Sequence, residues 1–469
     1  MLQVLNRLVN FLKATFNLII STLACVCFCI CKTNQGSLAE AAEKQFKDYQ
    51  VNRSRDEVTA ELGEAVAKAK GQIGEPFSED CSTIYSNMPS GGEWKRAKDF
   101  LPVLNEGTPI SLFGDGALPM DLGQGQIGDC YLLASLSALA EEAGRVEALF
   151  ANSEYDEATS NYIVHLFKDG GWVAVQVDDQ FWVDSNTNKP LCCNTKGTSR
   201  LWPMILEKAY CKLIFAGDFG KLGGGGQPYQ ALHHLRGLST GRVGTEGLTR
   251  EFSEQDCYNI LYNKVVTNDD GCVVAGIERM PWGSCVPSCL CGALECCCMA
   301  PLAKLARTHL PLAFAFTCAA RTWMQTTSDC FEAIVCCPLW SIYQYGIMQF
   351  NMARTGLVAT HAYAVLDVKN VPIDCLCGVG VGVAPGETVK LVKLRNPWGT
   401  GEWHGAFSDK SCYWSAEARE TCKLEAAEDG VFWMTLTDFR RYFGSFSVAP
   451  FESALVADSP QIEVQVMER

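Results

Sequence analysis

A glycine-punctuated loop that runs straight into an apolar helix is the tightest constraint in this sequence. Residues 124–134 read QGQIGDCYLLA, with Gly125 and Gly128 permitting a tight turn just before the apolar run. Leu132, Leu133, Leu136 and Leu139 recur at helical spacing, which predicts a buried helix over residues 130–140. The chain can bury it: 48% of its 469 residues are hydrophobic and 20% charged, enough for two or three domains with a sizeable core. Cys130 falls in the first turn, where unpaired N–H groups and the helix dipole favour a thiolate. That expectation makes Cys130 a candidate nucleophile, and such a nucleophile needs a base.

The surrounding pattern is mixed. Residues 162–166 and 172–177 alternate as strands do, and residues 202–213 return to helical spacing. After the glycine cluster Gly223 to Gly226, a helix is expected before a region that is mostly strand, including residues 362–368, 389–394 and 431–436. One half is helix-rich and the other strand-rich, an α+β architecture. The glycine cluster reads equally as a flexible connector and as a place for close backbone approach.

The chain ends and one internal stretch read differently. Residues 14–31 carry no charge and end in Cys25, Cys27, Cys29 and Cys31. A membrane anchor, a cleaved signal and a buried helix all fit, and the cysteines at a membrane boundary favour an anchor with S-acylation. Residues 37–72 read as an exposed helix capped by Ser37, acting as a linker. Eleven of the 25 cysteines lie from Cys272 to Cys337, ten of them within an insertion of about residues 281–350 that has no clean period. Cys285, Cys289, Cys291 and Cys296 to Cys298 could ligate zinc, but they form no tidy pair of CxxC motifs. The odd count and uneven placement suggest a reducing compartment. The formal net charge of −14 argues against a nucleic-acid partner.

Six histidines are available as the base. His361 stands at the entrance to an alternating strand, where a side chain can project into a cleft. Asn396 ends another strand, because Pro397 stops ladder pairing, and its carbonyl could orient an imidazole. Trp398 would then shield that hydrogen bond.

Three segments, QGQIGDCYLLAS, LVATHAYAV and LRNPWG, resemble the calpain-type cysteine proteases of the papain-like class. EWKR at 93–96, LEKAY at 206–210 and DGVFWM at 429–434 extend the likeness over residues 76–451, apart from the insertion. The resemblance implies a two-lobed protease core: a helix-rich lobe (76–240) with Cys130 and a strand-rich lobe (241–451) with His361 and Asn396. Residues 1–36 would then be the anchor, 37–75 the linker and 452–469 a tail. It implies Cys130 as nucleophile, His361 as acid/base, Asn396 as orienting residue and Gln124 as oxyanion donor. The expected activity is cleavage of intracellular proteins through a thioester, in a cytoplasmic enzyme with a possible membrane contact; a catalytically silent binding module is the alternative.

The resemblance also implies calcium in each lobe, with oxygen ligands. Gly114, Gly116 and Asp121 match the first site, but Arg200 stands where an acid is expected. Glu402, Asp409 and Asp429 match the second, with Val431 at another acidic position. Thr360 replaces the usual glycine before His361, which would narrow the cleft. No EF-hand pattern occurs in the sequence.

Overall fold

In the computed structural model the described residues are 49, 51, 53–244, 253–267, 271–277, 355–372 and 388–451. The anchor candidate, Ser37, the cysteine-rich insertion and the tail from 452 lie outside them. All described residues belong to one unit, formed by residues 46–280 and 355–464. No helix among them is long and apolar enough to cross a membrane.

The central layer is a six-stranded antiparallel sheet in the order β5-β10-β6-β7-β8-β9. Its strands are β5 (Gly241–Gly244), β6 (Cys272–Ile277), β7 (His361–Pro372), β8 (Thr388–Arg395), β9 (Val431–Thr435) and β10 (Ser445–Ala449). Two-residue periodicity divides its middle strands between two cores. Cys272, Val274, Ala362, Ala364, Leu366 and Ala449 join one hydrophobic cluster, while Val273, Ala275, Ile277, Tyr363 and Val365 join another. A bulge between Val365 and Asp367 then returns Val368 to the second cluster. Because both faces are buried there, β6 and the first half of β7 read as nearly continuous apolar runs.

The first cluster also holds the helices of the amino-terminal part. Helix α2 (Cys130–Leu139) is buried from Tyr131 to Leu139 and packs against β6 and β7. The alanines of β7 on that face let the helix backbone come close. Helices α3 (Trp202–Phe215) and α4 (Pro228–Arg236) complete the layer, with the β2–β3 hairpin (Tyr162–Lys168, Gly171–Val177) and the β1–β4 pair (Gly92–Arg96, Gln180–Asp184) outside it. The strand and helix expectations from residue 130 onward fall within these elements where residues are described, with ends moved by a few residues.

Helix α1 (Arg55–Ala69) is capped by Ser54, which forms a capping box with Glu57. Its stripe of Val58, Leu62 and Ala69 is buried, and Trp172 Nε1 donates to the Val58 carbonyl at 3.0 Å. This part of the charged segment is therefore docked on the β2–β3 hairpin rather than fully exposed.

Candidate active site

Cys130 opens α2, and His361 opens β7, the strand on which α2 lies. Cys130 is half-buried; the backbone N–H of Ala362, the residue after His361, lies within hydrogen-bonding reach of its thiol. His361 and Asn396 are both buried. His361 Nε2 meets Asn396 Oδ1 at 2.9 Å. The roles in that bond follow from the rest of the network. The Asn396 amide nitrogen donates to the carbonyls of Thr400 (2.8 Å) and Gly401 (3.0 Å), and Oδ1 also accepts the Trp398 N–H at 3.1 Å. The oxygen must therefore face the ring, so His361 carries its proton on Nε2 and leaves Nδ1 as the acceptor. Rings enclose the imidazole: Trp398 lies 4.9 Å away, centroid to centroid, and Tyr363 packs edge-on at 5.1 Å.

The electrostatics correct one expectation. Burial pushes the Cys130 thiol up, ahead of the lowering by the Ala362, Tyr131 and Cys130 N–H groups, and the Asp129 charge adds to the rise. The helix terminus alone thus does not yield a thiolate. Burial also lowers His361 to about 4, against a small upward pull from Asn396. Burial thus disfavours the charged form of both groups.

Gln124 is half-buried, and its amide is turned onto its own loop, Nε2 donating to the Ile127 carbonyl at 2.8 Å. The loop has no slack. The Gln124 N–H donates to the Pro397 carbonyl (3.0 Å), and the Gln126 N–H to Leu191 (2.8 Å). Gly123 and Asn194 exchange both backbone bonds at 3.0 and 2.8 Å. At Gly125 a Cβ would lie 2.0 Å from the Cys192 carbonyl, so only glycine fits. The Gly223 to Gly226 cluster serves the same loop: a Cβ on Gly223 would meet the Ile127 Cβ at 2.9 Å. The close approach is to the chain's own loop that leads into Cys130.

Sequence reasoning missed Arg395, the residue before Asn396. It is 1% exposed, and it donates to the Leu122 carbonyl (2.6 Å) and to Ser137 Oγ of α2 (3.0 Å). Burial pulls its guanidinium down to about 10. Lys390 and Lys393 precede it in the same strand, so no local signal singles out Arg395; a buried arginine needs specific acceptors, and the fold supplies them. It ties the strand leading to Asn396 onto the helix that begins with Cys130.

The expected cation sites differ from one another. At the first, Arg200 Nη1 donates to Asp121 Oδ1 (3.1 Å) and to the Gly116 carbonyl (3.3 Å). Its Nε lies 2.7 Å from where a Gly114 Cβ would be. Asp121 also accepts Trp202 Nε1 and the Leu118 N–H, both at 2.9 Å. A guanidinium already occupies the donor set, and the residues do not fit a calcium ion. At the second, Glu402 accepts the Asp429 and Gly430 N–H groups at 3.0 Å each. Burial, then Asp409 and Asp429, raise its carboxyl to about 7 despite the Gly430 bond. Asp409 is raised likewise, and its Oδ1 is buried with no partner. Crowded carboxylates with an orphaned oxygen fit a hard cation. Val431 adds no ligand, though its N–H is bound by Asp429 at 2.8 Å.

Among the described residues, one trio has metal-competent atoms all within 4.8 Å: Glu79, Cys81 and Asp178. The Lys208 ammonium fills it, 2.9 Å from Glu79 and 3.6 Å from the Cys81 sulfur. The described cysteines 81, 130, 192, 193, 211, 257, 272, 412 and 422 are free thiols. Thr360 adopts φ +55, a left-handed conformation that explains why a glycine suits this position.

Comparison with known proteins points to one family. The profile described as calpain family cysteine protease matches residues 75–281 and 296–450, leaving only 282–295 between. Calpain-5 of Mus musculus is 27% identical over 384 residues, covering 78% of this chain and 47% of its own length. Calpain-13 of Rattus norvegicus is 24% identical over 415 residues, 87% of this chain and 47% of its own. The calpain-type cysteine protease ADL1 of Oryza sativa subsp. japonica is 27% identical over 360 residues, 76% of this chain and 12% of its own. The chain spans about half the length of the animal relatives. With the profile spanning more than half of the sequence, in ranges that include Cys130, His361 and Asn396, the chain belongs to the calpain family of cysteine proteases.

Proposed function

We propose that the chain is a cysteine endopeptidase that cleaves intracellular proteins through a Cys130–His361–Asn396 triad. The observation that carries this reading is the locked Asn396 amide, which fixes the imidazole tautomer and leaves His361 Nδ1 free for a proton. Cys130 gives its proton to Nδ1 as sulfur attacks the peptide carbonyl, and the imidazolium returns it to the leaving amine. Water, deprotonated by the same imidazole, then hydrolyses the thioester. The Cys130 N–H and one hydrogen of the Gln124 amide are the proposed oxyanion donors, a kind of contact typically contributing about 10²–10³ in rate. Trp398 shields the His361–Asn396 bond from water. In this reading residues 76–240 and 241–451 act as two lobes with the substrate extended between them.

Calcium, if it takes part, binds through Glu402, Asp409 and Asp429, where it would relieve carboxylate repulsion. No calcium is assigned to Gly114, Gly116 and Asp121, because Arg200 supplies the positive charge there. The reading places the enzyme in the cytoplasm, with residues 14–31 as a membrane contact.

Purified chain should cleave casein, and Cys130→Ala should not. Cleavage that survives Cys130→Ala would end the assignment. A catalytically silent module is the second reading, favoured by the burial that disfavours the charged forms of Cys130 and His361. Labelling of Cys130 by an irreversible thiol-protease inhibitor, with and without calcium, separates the two: a silent site stays unlabelled in both.

A further inference from the structure

Two carboxyl groups are buried behind the nucleophile with no cation between them. Asp129 precedes Cys130 and is 0% exposed; Glu207, on α3, is 3% exposed. Asp129 stands at the N-cap of α2, yet its side chain makes no capping bond. Neither of its oxygens receives a well-formed hydrogen bond from an N–H or O–H donor. What faces it is the Glu207 carboxyl. Glu207 in turn accepts the Cys193 N–H through both oxygens, at 2.9 and 3.1 Å.

The neighbours offer no counter-charge. The thiols of Cys130, Cys192, Cys193 and Cys211 and the Tyr131 phenol surround the pair, and burial keeps each in its neutral form. The Gln124 amide approaches Asp129 from the loop. Lys208, the residue after Glu207, turns to Asp178 and Glu79. Arg395, near Cys193, donates through its two terminal nitrogens to Leu122 and Ser137, and its Nε is buried without a partner. Two carboxylates in contact in a dry interior repel too strongly for both to ionise.

We propose that Asp129 and Glu207 share a single proton, and that this acid–carboxylate hydrogen bond positions the oxyanion loop against the Cys130 helix. The proposal rests on the reading of Cys130 as nucleophile. The pair joins three segments. Through Cys193 it holds the 191–194 stretch, which bonds Gly123 and Gln126 of the loop; through Asp129 it holds the loop's far end; through Glu207 it anchors both to α3. Asp129 and Glu207 are positioning residues, with no part in bond making.

The pH consequence has a definite sign. Burial raises Asp129 to about 6 and Glu207 well above the ordinary carboxylate range. A raised carboxyl pKa means the folded state holds the proton more tightly than the unfolded chain. Its stabilisation is full below the unfolded pKa of about 4 and is lost as pH rises through the folded values.

Glu207→Gln tests this, because an amide can donate to Asp129 and accept the Cys193 N–H with no proton to lose. The full chain is melted from pH 5 to 9 for wild type, Glu207→Gln and Glu207→Ala. The expected result is a Tm difference, Glu207→Gln minus wild type, that grows more positive with pH, while Glu207→Ala is less stable than Glu207→Gln throughout. A Tm difference that is flat, or that falls with pH, means Glu207 is ionised and overturns the proposal. A second readout is alkylation of Cys130 by iodoacetamide, followed on its peptide by mass spectrometry. Asp129→Asn removes a neighbouring charge and should shift the alkylation profile to lower pH; an unshifted profile counts against the pair. Neither readout needs proteolysis, so wild-type chain that fails to cleave casein sinks the protease reading alone.

Discussion

Replacing Arg200 by glutamine should turn a calcium-blind loop into a calcium-responsive one. Asp121 is 1% exposed, and Arg200 is its one ion-pair partner among the described residues. Without the guanidinium, Asp121 keeps the Trp202 and Leu118 donors but loses its counter-charge. Breaking a buried pair from one side costs about 3–5 kcal/mol, and the 18% exposure of Arg200 places this case near the lower end. About 3 kcal/mol is roughly a hundredfold in the folding equilibrium. The Gly114 and Gly116 carbonyls, Asp121 and the side-chain oxygen of the introduced glutamine would then offer only hard ligands. A ligand present at about 100 times its Kd returns about 2.7 kcal/mol, nearly the whole loss. Urea unfolding followed by tryptophan fluorescence measures both quantities. It is run in chelator and in calcium, on a Glu402→Gln background that silences the other site. Calcium should leave the chain that retains Arg200 unmoved and restore the Arg200→Gln chain. If calcium stabilises both equally, the guanidinium does not block the loop and the reasoning fails.

Three other outcomes follow from single contacts. Arg395→Met leaves the Leu122 carbonyl and Ser137 Oγ without their donor, at about 1–3 kcal/mol for a stranded buried group; inhibitor labelling of Cys130 should slow as well, and labelling at the wild-type rate would show that Arg395 does not set the site's register. Thr360→Gly relieves a β-branched residue at φ +55, so Tm should rise by an amount reflecting about 1 kcal/mol, and a lower Tm would count against strain there. Calcium affinity at Glu402, read by calorimetry, should fall as pH drops below about 7, because the proton then competes for the same carboxylate; an affinity constant from about pH 8 to 6 would remove Glu402 from the ligand set.

Much of the site was legible because its residues carry local signals. Cys130 announced itself by glycines followed by helical spacing, and Asn396 by the proline that ends β8. These are statements about backbone geometry, which short windows encode. Arg395, Asp129 and Glu207 carry no such signal. Each reads as an ordinary surface-type residue inside a motif, and only the tertiary packing removes its solvent. Arg200 was visible as a departure from an expected acid, but its contact with Asp121, 79 positions away, required the fold.

The same division explains why the thiol expectation failed. A helix N-terminus lowers a thiol pKa through partial charges that the sequence locates well. Burial raises it through water excluded by β7, whose residues lie more than 200 positions downstream of Cys130. The second effect is the larger here, so burial disfavours the charged forms, and the proposed mechanism requires the two charges to form together. In the proposed triad, the decisive control then falls on whatever brings the Nδ1 face of His361 to Cys130. The residues that do so on each side are themselves buried and charged or acidic: Arg395 under Asn396, and the Asp129–Glu207 pair under Cys130. A loss at either should therefore appear first in the pH dependence of Cys130 reactivity, before the protein loses its fold.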